Sequence, residues 1–488
     1  MSKLLRPEPL GRRAFLQRSA LLAAGFALPS ALLSACGDAS TTAPPLEVDP
    51  GTPFWLQGNF APVYDEATAL DLPVRGRIPR ELAGLYVRNG SNPQSGVSPH
   101  WFFGDGMLHG VRLEGGRAAW YRNRYVRTPF YEQGRGFSDA PGLPIGGNHQ
   151  SNVSCVYHGG RLLLSGEVGA PYVIDPNDLS TIGVHDFDGR LNTSFTAHPK
   201  IDPATGNLHF FGYWFFSPYL TYHVADPAGN IVHSSQIPVT ASTMIHSFAI
   251  TERDVVFWEL PVLFDLNAAV SGAGNPFAWQ ADYGARIGVM PLGGNGSDIR
   301  WVEIDPCYVY HEVNAYRDGD EIVLDVCRHD YMFAGERFGA APLALHRWRV
   351  DTGGDQLRFR DEVVTDRDLE LPTHDRRFSG RPYRYGWLVY GEDHPLTPNF
   401  VGVAQVDFRS GDVRTWNPGP TRHAAEAFFV PGGPGEGDGW LLSYVYDRAR
   451  DASDLVILDA LDVASGPVAE IALPRRVPFG FHGVWVPA

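Results

Sequence analysis

Lysine is nearly missing from this chain. Of 40 basic residues among 488, only Lys3 and Lys200 are lysines; the rest are arginines. Positive charge as a whole is short: the formal net charge is −15. A phosphate backbone needs a basic footprint, so nucleic acid is excluded as a natural partner. Cysteine is scarce as well. Cys36, Cys155, Cys307 and Cys327 are the only four, and they form no CxxC pair, which removes support for a zinc site. Cys307 and Cys327 flank an expected hairpin turn at Asp318-Gly319. Counting outward from that turn puts them out of register, and disulfide geometry is strict enough that this argues against a bridge. There is no Gly-rich dinucleotide fingerprint, so nothing argues for a bound dinucleotide.

Long apolar runs are also lacking. The one apolar stretch near the N-terminus, Ala20 to Leu33, is too short to span a bilayer and has the length of a signal-peptide core. It follows Gly11-Arg12-Arg13-Ala14-Phe15-Leu16-Gln17, which resembles a twin-arginine export signal. It ends in Leu33-Ser34-Ala35-Cys36, which resembles a bacterial lipoprotein cleavage box. The expectation is a signal peptide over residues 1–36, with Cys36 lipidated, then a small, polar, Pro-containing tether over 37–53. The alternative is an unlipidated signal with an incidental cysteine. Residues 54–488 would form one globular domain, exported and held on the periplasmic or surface membrane of a bacterium. Twin-arginine export carries folded proteins, which suits a cofactor loaded beforehand in the cytoplasm.

What the chain does have is turns and short strands. It contains 54 glycines and 39 prolines at 44% hydrophobic content. From about Leu82 onward, β-branched and aromatic runs alternate with Asp/Gly turns, as in Glu321-Ile-Val-Leu-Asp-Val-Cys327 and Phe400-Val-Gly-Val-Ala-Gln-Val-Asp407. No segment carries a long helical period. The beat is roughly 45–65 residues, the range of a propeller blade. Units starting near 150, 198, 246, 311, 380 and 424 make six. A C-terminal strand near Val484, paired with the segment from 84 to 128, would make a seventh and close the ring, removing exposed sheet edges. The expected fold is all-β, a seven-bladed β-propeller; the alternative is a pair of stacked β-sandwiches.

Four histidines stand at the starts of inner strands in this beat: Thr196-Ala-His198-Pro, Met244-Ile-His246-Ser, Val309-Tyr-His311-Glu and Gly480-Phe-His482-Gly. Inner strands line the axis of a propeller, so equivalent ends converge on one point. Four imidazoles there would make a nitrogen-only metal site with open positions. Imidazole suits iron, copper, zinc and nickel, so the donors alone do not name the metal. Any one histidine alone reads as structural, and His100, His158, His185, His223, His233 and His394 sit in turns or polar contexts.

Here the chain resembles a known family, the carotenoid cleavage oxygenases, which include stilbene-cleaving dioxygenases and the retinoid isomerohydrolase of the eye. The likeness runs from about Pro53 to Pro487. Leu85-Tyr-Val-Arg-Asn-Gly-Ser-Asn-Pro93 is similar to the family's N-terminal signature. Trp101-Phe-Phe-Gly-Asp-Gly-Met107 and Tyr121-Arg-Asn-Arg-Tyr-Val-Arg-Thr128 are similar to its next block, with Phe103 where many members carry Asp. Phe479-Gly-Phe-His-Gly483 near the C-terminus resembles an especially specific motif of the family. The resemblance implies a seven-bladed propeller with iron(II) on the axis under a cap of loops, held by His198, His246, His311 and His482. It implies that Glu167, Glu370 and Glu426 hold the other ring nitrogens of His246, His311 and His482 respectively. Glu259 and Glu312 read as structural.

The reaction the resemblance implies is addition of both atoms of dioxygen across one C=C bond, giving two carbonyl products. The first-choice substrate is a carotenoid or apocarotenoid. A hydroxylated stilbene is the alternative, but that branch activates its phenol with a tyrosine and a cap lysine. Lys200, the one lysine outside the leader, follows His198 instead. A non-oxidative isomerohydrolase is a third reading. A non-catalytic, lipid-anchored pigment-binding propeller is the alternative from another class. The apolar stretch Leu260-Pro-Val-Leu-Phe-Asp-Leu266, with Ala268-Ala-Val and Phe277-Ala-Trp279, is expected as a loop that forms cap core or touches membrane.

Overall fold

The computed structural model describes residues 49–134, 147–271, 275–334, 341–392 and 398–488. The leader motifs at Arg12, Arg13 and Cys36 and most of the tether lie outside the described residues, as does His394.

The described strands build seven antiparallel sheets of four or five strands, plus one two-stranded hairpin. Blade 1 is made of Ala67–Leu70, Gly84–Arg88, Met107–Glu114, Arg117–Tyr125 and the C-terminal Gly483–Pro487. Blade 2 runs through Ser154–His158, Arg161–Ser165, Tyr172–Ile174 and Thr181–Val184, and blade 3 through Lys200–Ile201, Leu208–Tyr213, Leu220–Ala225 and Ile231–Gln236. Blade 4 uses Ala249–Ile250, Asp254–Glu259, Ala285–Pro291 and Arg300–Ile304; blade 5 uses Tyr308–Asp318, Glu321–His329, Leu343–Asp351 and Arg358–Thr365. Blade 6 contains Leu369–His374, Tyr385–Gly391, Phe400–Asp407 and Val413–Trp416. Blade 7 contains Arg422–Pro431, Gly439–Asp447, Ala452–Asp459 and Pro467–Ala472, with Val74–Gly76 added outside.

The ring closes twice. Gly483–Pro487 pairs with Gly84–Arg88 on the inside of blade 1, with Val87 opposite Val484. Val74–Gly76 pairs with Pro467–Ala472 on the outside of blade 7. The second closure covers the outer edge of Pro467–Ala472 with a strand of three residues, and so short an edge is a poor template for pairing with another chain. The seven-bladed expectation and the closing role of the strand near Val484 hold. The unit placed near 380 begins earlier, at Leu369. Pro372 interrupts that strand and the ladder shifts between Glu370 and Thr373, which hid it from a period-2 pattern. The apolar stretch expected as a loop contains a hairpin of Val262–Phe264 with Phe277–Trp279, and a short helix, Leu266–Ser271.

Local chemistry explains the turns. Asp226 and Asp407 accept backbone N–H bonds from Ala228 at 3.0 Å and Arg409 at 3.0 Å. These are aspartate-stabilised turns that reverse the chain between strands. Apolar side chains fill the gaps between blades, as where Leu85, Val111, Leu164, Leu442 and Val484 share one cluster joining blades 7, 1 and 2. Between blades 6 and 7, Trp387 and Phe429 stack 4.8 Å apart, and the Trp387 indole N–H donates to Ala460 at 2.8 Å. Cys155, Cys307 and Cys327 are buried and free, so the cysteine pair is not bridged.

Several histidines work as buried neutral groups. His223, one of the histidines read as lying in a turn or polar context, is fully buried in a strand, with its ring nitrogens bonded to Thr193 and Ser234. Burial lowers His100, His149, His209 and His223 from 6.5 to about 4. A folded value below the unfolded one means that acid favours the unfolded chain, because only that state takes up the protons. Stability should therefore be level above pH 6.5 and fall as the pH drops from 6.5 to about 4. Thermal midpoints of metal-free protein across that window check this; a flat profile would contradict it.

Candidate metal centre

Around the axis the inner strands of blades 4, 5, 6, 7, 1 and 2 pack each against the next, and the four histidines sit at one end of blades 3, 4, 5 and 1. His198 and His246 lie just before the first strands of their blades, His311 lies within one, and His482 immediately precedes the closing strand. Their candidate ligand atoms all fall within 4.8 Å of one another, forming the one histidine cluster of metal-binding geometry among the described residues. Ring centroids are 4.4 Å apart for His198–His482, 5.0 Å for His311–His482 and 5.1 Å for His246–His311.

Three carboxylates orient three of the rings. Glu167 accepts from His246 Nδ1 at 2.8 Å, Glu370 from His311 Nδ1 at 2.6 Å and Glu426 from His482 Nδ1 at 2.7 Å. Each bond places the ring proton on Nδ1 and leaves Nε2 as a lone-pair donor facing the cluster. The three pairings are those the resemblance implied.

The residues fit a metal on their own geometry. His311 Nε2 is buried and makes no hydrogen bond, an arrangement that costs free energy unless something is bound there. His198 Nε2 and His246 Nε2 are 2.9 Å apart. Two nitrogens at right angles on one metal, each about 2.1 Å from it, would stand about 3.0 Å apart. Burial, with help from the three neighbouring imidazoles, holds His198 well below its ordinary value. Burial also lowers His311 despite the pull of Glu370. Both stay neutral and able to donate lone pairs. Burial pushes the Glu370 carboxyl up, but the His311 and His329 imidazoles outweigh it and keep it ionised.

The strands reach this arrangement through bulges. The ladder shifts between Val309 and Glu312, around His311; between Glu370 and Thr373; and between Ala424 and Ala427, around Glu426. A bulge frees a residue from the strict alternation of faces and re-aims its side chain. Leu371, next to Glu370, has φ 52. Glu167 lies two residues beyond Arg161–Ser165, in a bend whose Gly166 and Gly169 lie against the His149 ring. The His149 Nε2–H donates to Ala170 at 2.7 Å and its Nδ1 accepts from the Ser151 N–H at 3.1 Å. Gly169 has φ +91, and a Cβ there would come within 2.2 Å of the His149 ring, so glycine is required.

Several supporting groups had no sequence signal. His329 Nε2 donates to the second oxygen of Glu370 at 3.2 Å, and the Leu371 N–H adds a bond at 2.6 Å. Tyr213 donates its hydroxyl to Glu167 at 3.3 Å, and the Gly483 N–H donates to Glu426 at 2.8 Å. Glu259 is structural as expected, pairing with Arg286 at 2.6 Å.

The family model described as retinal pigment epithelial membrane protein matches residues 60–487. A carotenoid cleavage oxygenase of Mycobacterium tuberculosis is 37% identical over 496 residues, covering 89% of this chain and 97% of its own. The chain belongs to the carotenoid cleavage oxygenase family. As a member it is an oxygenase. Among solved structures of the family, Pseudomonas brassicacearum lignostilbene dioxygenase matches with TM-score 0.82 at 29% identity, covering 91% of this chain and 100% of that one. A variant of Synechocystis apocarotenoid oxygenase matches with TM-score 0.79 at 28% identity, covering 89% and 98%.

Proposed function

We propose that this oxygenase binds iron(II) through His198, His246, His311 and His482 and uses dioxygen to cleave one C=C bond of a carotenoid or apocarotenoid into two carbonyl products. The observation that carries the reading is the convergence of four imidazoles on one point, with the buried Nε2 of His311 lacking any protein partner. Bound there, iron(II) supplies the redox chemistry of dioxygen, since neutral nitrogens leave its charge undiminished and positions open. The protein's part is to aim the lone pairs, exclude water and select the bond.

Aromatic side chains provide the water-excluding surface. Trp101 packs on Phe481 at 4.8 Å, Phe102 on Phe481 at 5.7 Å, and Tyr310 meets the edge of His246 at 5.3 Å. The Tyr310 hydroxyl is buried without a hydrogen bond, and burial pushes it well above its ordinary value, so it stays protonated beside the centre. Support for a polyene comes from the likeness to carotenoid cleavage oxygenase and apocarotenoid oxygenase.

The second reading, a hydroxylated stilbene, is favoured by the likeness to lignostilbene dioxygenase. Against it, Lys200 is the only lysine among the described residues, and its ammonium is engaged by Glu312 and Ser247. It is not free to draw a proton from a phenol. A non-catalytic pigment-binding propeller would need neither four converging imidazoles nor their three carboxylates. An aerobic assay of purified, iron-loaded enzyme over carotenoids, apocarotenals and stilbenes, with products identified by mass spectrometry, tests the choice. Aldehydes from the polyenes alone are expected; cleavage confined to stilbenes would overturn the substrate assignment.

The leader supports placing the enzyme outside the cytoplasm on a membrane by a lipid at Cys36. Firm anchoring takes more than one acyl chain, and bacterial lipoproteins carry several. Cys36→Ser should then move the protein from the membrane fraction to the soluble pool with cleavage activity retained. Arg12→Lys with Arg13→Lys should hold folded precursor in the cytoplasm. If the Cys36→Ser protein stays on membranes through high-salt washing and the double lysine variant is exported normally, both assignments fail. The anchor would then be the apolar hairpin, where Phe264 packs on Phe215 at 4.2 Å and Leu266 and Phe216 are exposed.

A further inference from the structure

Lys200 stands two residues past His198, Ser247 one past His246 and Glu312 one past His311. These three side chains meet. The Lys200 ammonium pairs with Glu312 Oε1 and lies 3.4 Å from Ser247 Oγ, and the Ser247 hydroxyl donates to Glu312 Oε2 at 2.7 Å. Ser247 is fully buried, and the Glu312 and Lys200 side chains are only 7% and 21% exposed. A buried ion pair is a poor way to gain stability, because desolvation offsets the attraction; its best-attested use is to fix register.

Register needs fixing here. Glu312 pairs with Val326, but the ladder of its strand is irregular on both sides, between Val309 and Glu312 and between Glu312 and Asn314. His311 therefore lies in backbone that the sheet alone does not hold at one position. We propose that Glu312, bound by Lys200 and Ser247, ties together the inner strands of blades 3, 4 and 5 and so sets the spacing of His198, His246 and His311 around the metal. All three are positioning residues. The inference rests on the reading that the histidines bind metal.

Two explanations of the pair make opposite predictions. If only charge mattered, Glu312→Gln would leave an unpaired cation near the metal and weaken binding. Lys200→Met would remove a cation from beside the metal, and binding would tighten or stay unchanged. If the cluster is a tie, both variants break it and both weaken binding.

The test titrates metal-free, full-length protein with Co(II), read by visible absorbance, and measures the thermal midpoint of each metal-free variant. Glu312→Gln and Lys200→Met should each weaken Co(II) binding by about tenfold, the lower end of what lost support of metal ligands costs. The double variant should be little worse than either single one, because one unit is removed once. Lys200→Arg, which can still pair with Glu312, should recover most of the affinity and the wild-type spectrum. Should Glu312→Gln fail to fold, Ser247→Ala removes one link with little change of volume and should give a smaller loss in the same direction. The proposal is overturned if Lys200→Met binds Co(II) as tightly as wild type or tighter. It is equally overturned if the thermal midpoints fall while affinity and spectrum stay unchanged. Wild-type protein that takes up no Co(II), or His246→Ala protein that takes it up normally, would instead overturn the metal reading beneath it.

Discussion

His246→Ala protein should purify folded, with little bound iron and no measurable cleavage of any substrate. The fold survives because the ring is peripheral to the blade cores. His246 lies before the short inner strand Ala249–Ile250, and its loss leaves Glu167 with Tyr213 as a remaining donor. An under-satisfied carboxylate costs about 1–3 kcal/mol, which is modest against the about 5–15 kcal/mol of a typical domain. The Glu167 side chain is also 21% exposed, so water can replace part of what is lost. Metal binding has no such reserve. One of four converging nitrogens disappears, which should cost at least the about 10–100-fold that follows loss of a supporting partner. Alanine at His198, His311 or His482 should act alike. Iron analysis of the purified protein and circular dichroism check the two halves separately. Wild-type iron stoichiometry and turnover in His246→Ala would remove the site assignment altogether.

Glu426→Gln should lower metal retention or turnover by about 10–100-fold while the propeller persists. Geometry makes this more than a loss of charge. Both carboxylate oxygens are used, one accepting from His482 Nδ1 at 2.7 Å and the other from the Gly483 N–H at 2.8 Å. A glutamine has one carbonyl oxygen, so its amide N–H must face one of those two donors. Either the imidazole turns away from the cluster or the closing strand loses a bond at its first residue. The change also removes a negative charge that the fully buried Arg88 feels, so the thermal midpoint should drop as well. Combined with His482→Ala, the loss in metal retention should be far from additive, because both changes remove one unit. Independent, additive losses would mean that the two side chains do not act through each other.

Sequence pattern carried the architecture because its signals are local. Short β-branched runs, Asp/Gly turns and a repeating beat need no knowledge of distant partners, and they pointed to seven blades and a closing strand near Val484. The four histidines were legible for the same reason, since each recurs at one place in the beat. The carboxylates were legible only through family resemblance. Glu370 lies 59 residues from His311 and Glu167 lies 79 from His246, and nothing in their flanking residues points at an imidazole.

Tertiary structure alone decided what supports those groups. The bulges at His311, Glu370 and Glu426 arise from the pairing of neighbouring strands, and period-2 reading places such residues on the wrong face. His329 on Glu370, Tyr213 on Glu167 and the Gly483 N–H on Glu426 come from separate strands or blades. So does the Lys200–Glu312 pair, spanning 112 residues of sequence. The sequence by itself determined which side chains recur at the axis, because blade periodicity is a property of consecutive residues. Only the closed ring decided which of them touch, because contact across an axis depends on how every blade between them packs.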